Sequence, residues 1–160
     1  MKKLVLILLA VTIYMVPMAK AEIGVGYELL GVFPHAVTLT GYDKASGYGF
    51  KASSDFGAST LSTVTSIFVN LFSFGNINNM SFYTLSLTKD FMQSEAHRAY
   101  MKLGVFGITA KGTGNLSETK YLPVLGVGGE WKGFMGNNNI STALEAGFPE
   151  ILLVGLRYYF

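Results

Sequence analysis

The chain has 160 residues, 50% of them apolar and 14% charged, with 19 glycines and no cysteine. That length suits one domain. The aromatic content of 14% excludes a disordered chain, and the missing cysteines exclude a disulfide scaffold or a cysteine–zinc site.

Met1-Lys2-Lys3, the apolar run Leu4 to Val16 and the small-x-small triplet Ala19-Lys20-Ala21 together form a secretory signal. The apolar run is shorter than the roughly 20 residues of a spanning helix, which argues against a retained anchor. The expected domain plan is therefore a signal over 1–21, cut between Ala21 and Glu22, and one mature unit over 22–160. Loss of Lys2, Lys3 and Lys20 takes the 12 basic residues to 9 against 10 acidic ones, a net charge of −1. The basic character belongs to the signal, and no clustered basic face suggests nucleic acid.

The mature chain alternates with period two, the mark of strands with one apolar face. Ile23, Val25, Tyr27 and Leu29 oppose Gly24, Gly26 and Glu28, and Val37 and Leu39 oppose Thr38 and Thr40. Tyr48, Phe50, Ala52 and Phe56 oppose Lys51, Ser53 and Asp55; Tyr83, Leu85 and Leu87 oppose Thr84, Ser86 and Thr88. Met101 and Leu103 oppose Tyr100 and Lys102, and Leu125, Val127 and Trp131 oppose Val124 and Glu130. Leu144 and Phe148 oppose Ser141 and Glu145. Leu152, Val154, Leu156, Tyr158 and Phe160 oppose Gly155, Arg157 and Tyr159.

Eight strands are predicted, over 22–31, 36–43, 46–57, 80–91, 97–110, 119–131, 139–148 and 151–160. Most reach the roughly 9–11 residues of a tilted membrane strand, and an even count puts both chain ends on one side. Aromatic residues fall toward strand ends as in an interfacial girdle, with Trp131, Tyr158 and Phe160 at one rim and Phe56 and Phe148 at the other. The fold class expected is all-β, an eight-stranded antiparallel up-and-down transmembrane β-barrel.

The final Phe160, preceded by Leu152, Val154, Leu156 and Tyr158 at alternate positions, resembles the C-terminal signature of small bacterial outer-membrane β-barrel proteins. The resemblance in motif covers the last strand only. It implies the outer membrane of a Gram-negative envelope, outer-membrane lipid as surroundings, and recognition of the last strand by the barrel-assembly machinery. It also implies periplasmic chain ends, so that 32–35, 58–79, 111–118 and Pro149-Glu150 face outside. The periplasmic turns then fall near 44–45, 92–96 and 132–138.

Within 58–79 the apolar residues fit helical spacing (Leu61, Val64, Phe68, Leu71) and strand spacing (Ile67, Val69, Leu71) alike. So apolar a loop is expected to fold over the mouth, dip into lipid or pack on a protein or lipid partner. Glu28, Glu130 and Glu145 point inward with Lys51, Lys102 and Arg157, three of each sign, and predict an interior ion network plugging a narrow barrel. Counting from the turns sets Arg157 opposite Ser141, and Ser141 opposite Glu130.

His35, Ser54 and Asp55 gather near the outer rim and are the candidate base, nucleophile and orienting acid of a lipid-modifying enzyme, of acyltransferase or deacylase type. No motif of such enzymes matches them, and Ser54 alternates toward lipid while Asp55 alternates inward. His97 reads as a turn residue, and Asn137 to Asn139 as a turn cluster. In Leu125-Gly126-Val127-Gly128-Gly129 the inward glycines are expected to leave room inside a tight barrel rather than to bind phosphate. No metal or cofactor is expected. A non-enzymatic barrel with a structural, envelope-integrity or surface-interaction role is the favoured reading. A soluble lipocalin-like barrel with its apolar face inside remains the other alternative.

Overall fold

A computed structural model describes residues 21–30, 36–54, 77–112 and 117–160. Eight strands follow one another: β1 (Ala21–Leu30), β2 (Ala36–Asp43), β3 (Tyr48–Ser54), β4 (Ile77–Gln93), β5 (His97–Gly112), β6 (Ser117–Lys132), β7 (Ile140–Phe148) and β8 (Ile151–Tyr159). Each pairs antiparallel with its neighbour in sequence, and β1 pairs with β8 from Gly24↔Tyr159 to Leu30↔Leu153. The result is a closed up-and-down barrel, which leaves no sheet edge where the ring is complete.

Ala21, Phe160 and the turns at 44–47, 94–96 and 133–139 lie at one end, called the terminal end below; the 149–150 turn lies at the other, the loop end. Two turns correct the expected boundaries. The Asp43 carboxylate accepts the backbone N–H groups of Ala45 (3.1 Å) and Ser46 (3.2 Å), and Gly47 adopts φ +66°. That Asx-type turn takes Ser46 and Gly47 out of the predicted strand, so β3 starts at Tyr48. Between β6 and β7 the chain passes through a 3-10 turn at Phe134–Gly136, with Gly133 at φ +90° and Gly136 at φ +79°. This wider turn sets Glu130 opposite Ala143 and Lys132 opposite Ser141, two residues off the expected register. The β7–β8 register does pair Ser141 with Arg157.

The central strands also outrun their apolar patterns. β4 begins at Ile77 rather than 80, β5 continues to Gly112, and β6 begins at Ser117. Their ladder runs unbroken from Asn79↔Lys111 to Asp90↔Tyr100, because backbone pairing with a neighbour needs no apolar side chain. The connection expected over 58–79 is shortened accordingly, and its residues 58–76 lie outside the described residues. So do the predicted strand residues 55–57, with Phe56. β3 pairs with β4 as far as Ser54↔Tyr83 and β7 pairs with β6 as far as Leu125↔Phe148. The six steps from Tyr83 back to Ile77 therefore carry β4, β5 and β6 about 20 Å along the strand direction as a three-stranded ledge.

The two faces have opposite chemistry. Exposed outward positions include Val25, Leu39, Leu103, Leu125, Val127, Leu144, Val154 and Leu156. Buried inward positions include Glu28, Lys51, Lys102, Glu130, Glu145 and Arg157. A lipocalin-like barrel needs the reverse, and that alternative is overturned by the pleat itself. On β6, the outward Tyr121 and Trp131 are ten residues apart; at about 3.3 Å per residue and a tilt near 40° they bracket a band about 25 Å tall.

Candidate functional site

The lumen is the most built part of the molecule, and it is filled in two layers. At the loop end Ala36, Phe82, Phe106, Val124 and Leu153 form an apolar cluster, with Ile108 packed against it. The rings of Phe82 and Phe106 stack with centroids 5.8 Å apart. Below it, the six charged residues expected in the interior lie in one connected network, all buried.

Arg157 is its centre. Its guanidinium donates to Glu130 (2.9 Å), to Glu28 (2.8 Å) and to Glu145, and also to the Tyr100 hydroxyl (3.1 Å). Lys51 Nζ bridges Glu28 (2.9 Å) and Glu145 (2.8 Å). Lys102 Nζ reaches Glu145 (2.6 Å) and Glu150. Tyr100 Oη donates to Glu145 Oε1 (2.7 Å), and Ser141 Oγ donates to the other oxygen of Glu130. Each buried carboxylate thus meets at least one cation, the condition under which a buried charge is tolerated.

Three members went unread in the sequence. Arg98 binds Glu130 through Nε (3.0 Å) and Nη2 (2.8 Å), and its guanidinium lies 4.2 Å and 4.7 Å from the ring centroids of Tyr42 and Tyr100. Counting back in twos from Lys102 through Tyr100 reaches Arg98, so the signal was present beside the turn. Asp90 lies 3.8 Å from Arg98 Nη1 and continues the inward series Thr84, Ser86 and Thr88. Glu150 is the third, and it corrects an expectation. The Pro149-Glu150 turn was expected to face outside, yet Glu150 is buried against Lys102 and accepts from Thr84 Oγ1 (3.1 Å). Its neighbour Ile151 is held at φ +61°, a region that β-branched residues avoid. With Arg98 and Glu150 the balance becomes four cations and four carboxylates, with Asp90 beyond them.

Inward glycines make the space. Gly26 lies directly opposite Arg157, Gly155 opposite Glu28, Gly126 opposite Lys102 and Gly128 opposite Tyr100. A Cβ on Gly26 would lie 2.9 Å from Arg157 Cγ, one on Gly126 2.9 Å from Lys102 Cε, and one on Gly128 2.6 Å from the Tyr100 ring. Each large side chain crosses the lumen over a neighbour that has none. On the outer wall the same device runs the other way: Phe50 lies over Gly41, and Tyr83 over Gly107.

Of the remaining sequence candidates, some lie among the described residues. Ser54 is on the outer face, its hydroxyl donating to the Phe82 carbonyl (3.3 Å), while His35 and Asp55 lie outside the described residues. His97, expected in a turn, is instead the exposed first residue of β5, and its N–H donates to Ser94 Oγ (3.0 Å). Trp131, Phe148, Tyr158 and Phe160 are exposed on the outer wall, with Tyr158 and Phe160 in edge contact at 5.5 Å. Among the described residues no group of three His, Asp or Glu is placed to hold a metal ion. Among the described residues the arrangement holds charge in place within the lumen.

No protein-family model matches the chain, and no curated protein matches it. Among solved structures, it is similar to the backbone structure of the Yersinia pestis outer membrane protein Ail in a phospholipid bilayer nanodisc, at 15% identity and TM-score 0.45, over 88% of this chain and 99% of that one. It is also similar to the crystal structure of Ail, the Yersinia pestis attachment invasion locus protein, in complex with the heparin analogue sucrose octasulfate, at 12% identity and TM-score 0.44, over 88% and 95%. A further crystal structure of Ail matches at 14% identity and TM-score 0.45, over 87% and 93%. This is a likeness in outline.

Proposed function

We propose that the protein is a small outer-membrane barrel that does not conduct, and that its role is structural or interactive, exercised at the loop end. One observation carries this reading: an apolar outer wall surrounds an interior closed by paired charges and capped by an apolar cluster. A wall with exposed apolar side chains on every strand is stable only where hydrocarbon replaces water. An eight-stranded barrel is just wide enough for side chains to fill, and here they do.

In this reading the terminal end faces the periplasm and the β4–β6 ledge projects outward, carrying the contact surface beyond the membrane. Residues 1–21 deliver the chain to the envelope. The last strand, ending in the exposed Phe160, is what the barrel-assembly machinery reads. The segment 58–76 adds a protein- or lipid-contacting surface at the loop end, and its deletion over 62–74 leaves assembly intact while removing binding. Gel mobility of the detergent-extracted protein, unboiled against boiled, tests the membrane reading: a shift on heating supports it, and a protein that is soluble and runs alike in both lanes overturns it. Planar-bilayer recording tests closure, since steady open-pore conductance by the folded barrel contradicts a filled lumen.

A further inference from the structure

Three described turns lie at the terminal end, and one is unlike the others. Lys44 stands in the 44–47 turn and Glu95 in the 94–96 turn, whereas Gly133 to Asn139 carries no formal charge and holds Phe134 and Met135. This turn is closely bonded. The Gly133 N–H donates to the Ile140 carbonyl (3.0 Å), that of Gly136 to the Gly133 carbonyl (3.0 Å), and that of Asn139 to the Asn137 side chain (2.9 Å). Its two sides differ in chemistry. Asn138 and Asn139 help to line a cavity of about 420 Å³ at the terminal end, with Glu22, Lys44, Lys132 and Tyr159. Phe134 and Met135 take no part in that lining, and both are exposed, Met135 by 88%. Met135 also holds its place at a cost. It adopts φ +54° and ψ +29°, between Gly133 and Gly136 that are likewise at positive φ. Glycine stands in that left-handed region without the steric cost of a side chain. A side chain so exposed packs on little of the protein, so whatever offsets the cost lies outside the chain.

We infer that Phe134 and Met135 form a knuckle that enters the lipid of the periplasmic leaflet and anchors the terminal rim there. The proposal rests on the membrane reading above and adds to it a site. Continuity with the apolar wall points to lipid. That wall runs down β6 to Trp131 and down β8 to Tyr158, which stands opposite Ile140, the residue that closes the turn. The one charge between Trp131 and the knuckle, Lys132, turns inward to Glu22. Past the aromatic rim the alternative surroundings are water, so entry into lipid here removes apolar surface from water. Two side chains are also far less than the roughly 800 Å² per partner of a stable protein interface. A lipid surface needs no such area and no matching shape.

Trp131 is the chain's only tryptophan, which makes the test readable. The barrel is folded into phosphatidylcholine vesicles that contain lipid brominated near the headgroup end of its chains. Fluorescence is compared for wild type and for two double variants, Trp131→Phe/Met135→Trp and Trp131→Phe/Asn138→Trp. The Met135→Trp variant emits to the blue, is quenched by the brominated lipid and is shielded from aqueous iodide. The Asn138→Trp variant, on the cavity side of the same turn, shows the reverse. Met135→Gln keeps the length of the side chain and its backbone conformation but removes its apolar character. It lowers the folding equilibrium constant in vesicles about fourfold, the worth of one methylene carried from water into lipid. Equal iodide quenching at the two positions overturns the proposal, as does a Met135→Gln barrel as stable as wild type. Wild-type Trp131 reports on the membrane reading itself. Its failure to be quenched by brominated lipid tells against that reading; quenching at Trp131 without quenching of Met135→Trp tells against the knuckle alone.

Discussion

The loop-end and terminal halves of the lumen are filled by different physics. Phe82, Phe106, Val124 and Leu153 fill by volume and need only fit. The Arg157 network fills by pairing: it spans β1, β3, β5, β6, β7 and β8 and fixes each of those strands by a bond that no slipped register can make. A one-residue slip turns every inward charge toward the outer wall. The apolar half therefore tolerates exchange of like for like, and the charged half specifies which strand stands where.

The sharpest way to break this contrast is Arg157→Leu. It leaves Glu28, Glu130 and Glu145 short of their shared cation, and a broken buried pair costs about 3–5 kcal/mol. The expected outcome is a barrel that fails to refold or unfolds at much lower urea, followed by gel shift across a urea series. Stability equal to wild type means that the network fills space and nothing more. Phe106→Ala in the apolar half comes next, with a cavity cost of about 3–4 kcal/mol but an intact register. Leucine at that position recovers most of the loss, and failure to recover shows that the apolar half is also specific.

Gly126→Ala probes the space between the halves. The added methyl would lie 2.6 Å from the Ala146 carbonyl and 2.9 Å from Lys102 Cε. Overpacking of this kind costs about 1–3 kcal/mol, read as a lower unfolding midpoint in urea, and a midpoint equal to wild type means that the neighbouring strands shift to make room. Smallest is Lys44→Ala, which removes a half-exposed ion pair to Glu22 (2.8 Å) at the terminal rim. Its effect on the unfolding midpoint should fall within about 0–1 kcal/mol and fade at high salt. A larger effect means that the rim pair belongs to the lumen network.

Much of this was legible because a strand repeats every two residues. Once Leu152 to Phe160 is set outward, Gly155 and Arg157 must point in, and the same parity places Glu28, Lys51, Lys102, Glu130 and Glu145. Arg98 and Asp90 obey that parity and were missed only because they border a turn. Glu150 could not be read this way. It lies in a turn, where the pleat no longer dictates direction, and the cation of Lys102 and the hydroxyl of Thr84 draw it inward. Of the trio His35, Ser54 and Asp55, only Ser54 lies among the described residues, where strand parity sets it outward as expected.

The sequence by itself determined the class of the molecule: eight alternating segments, an even count, an apolar face and a charged one. These are properties of the local pleat, which repeats within a few residues. The tertiary structure alone decided which charge meets which, how far β4, β5 and β6 extend, and that Gly26, Gly126, Gly128 and Gly155 stand opposite the side chains they accommodate. Those depend on register, which is set by turn geometry and barrel closure acting between residues as far apart as Glu28 and Arg157. No local pattern carries that distance.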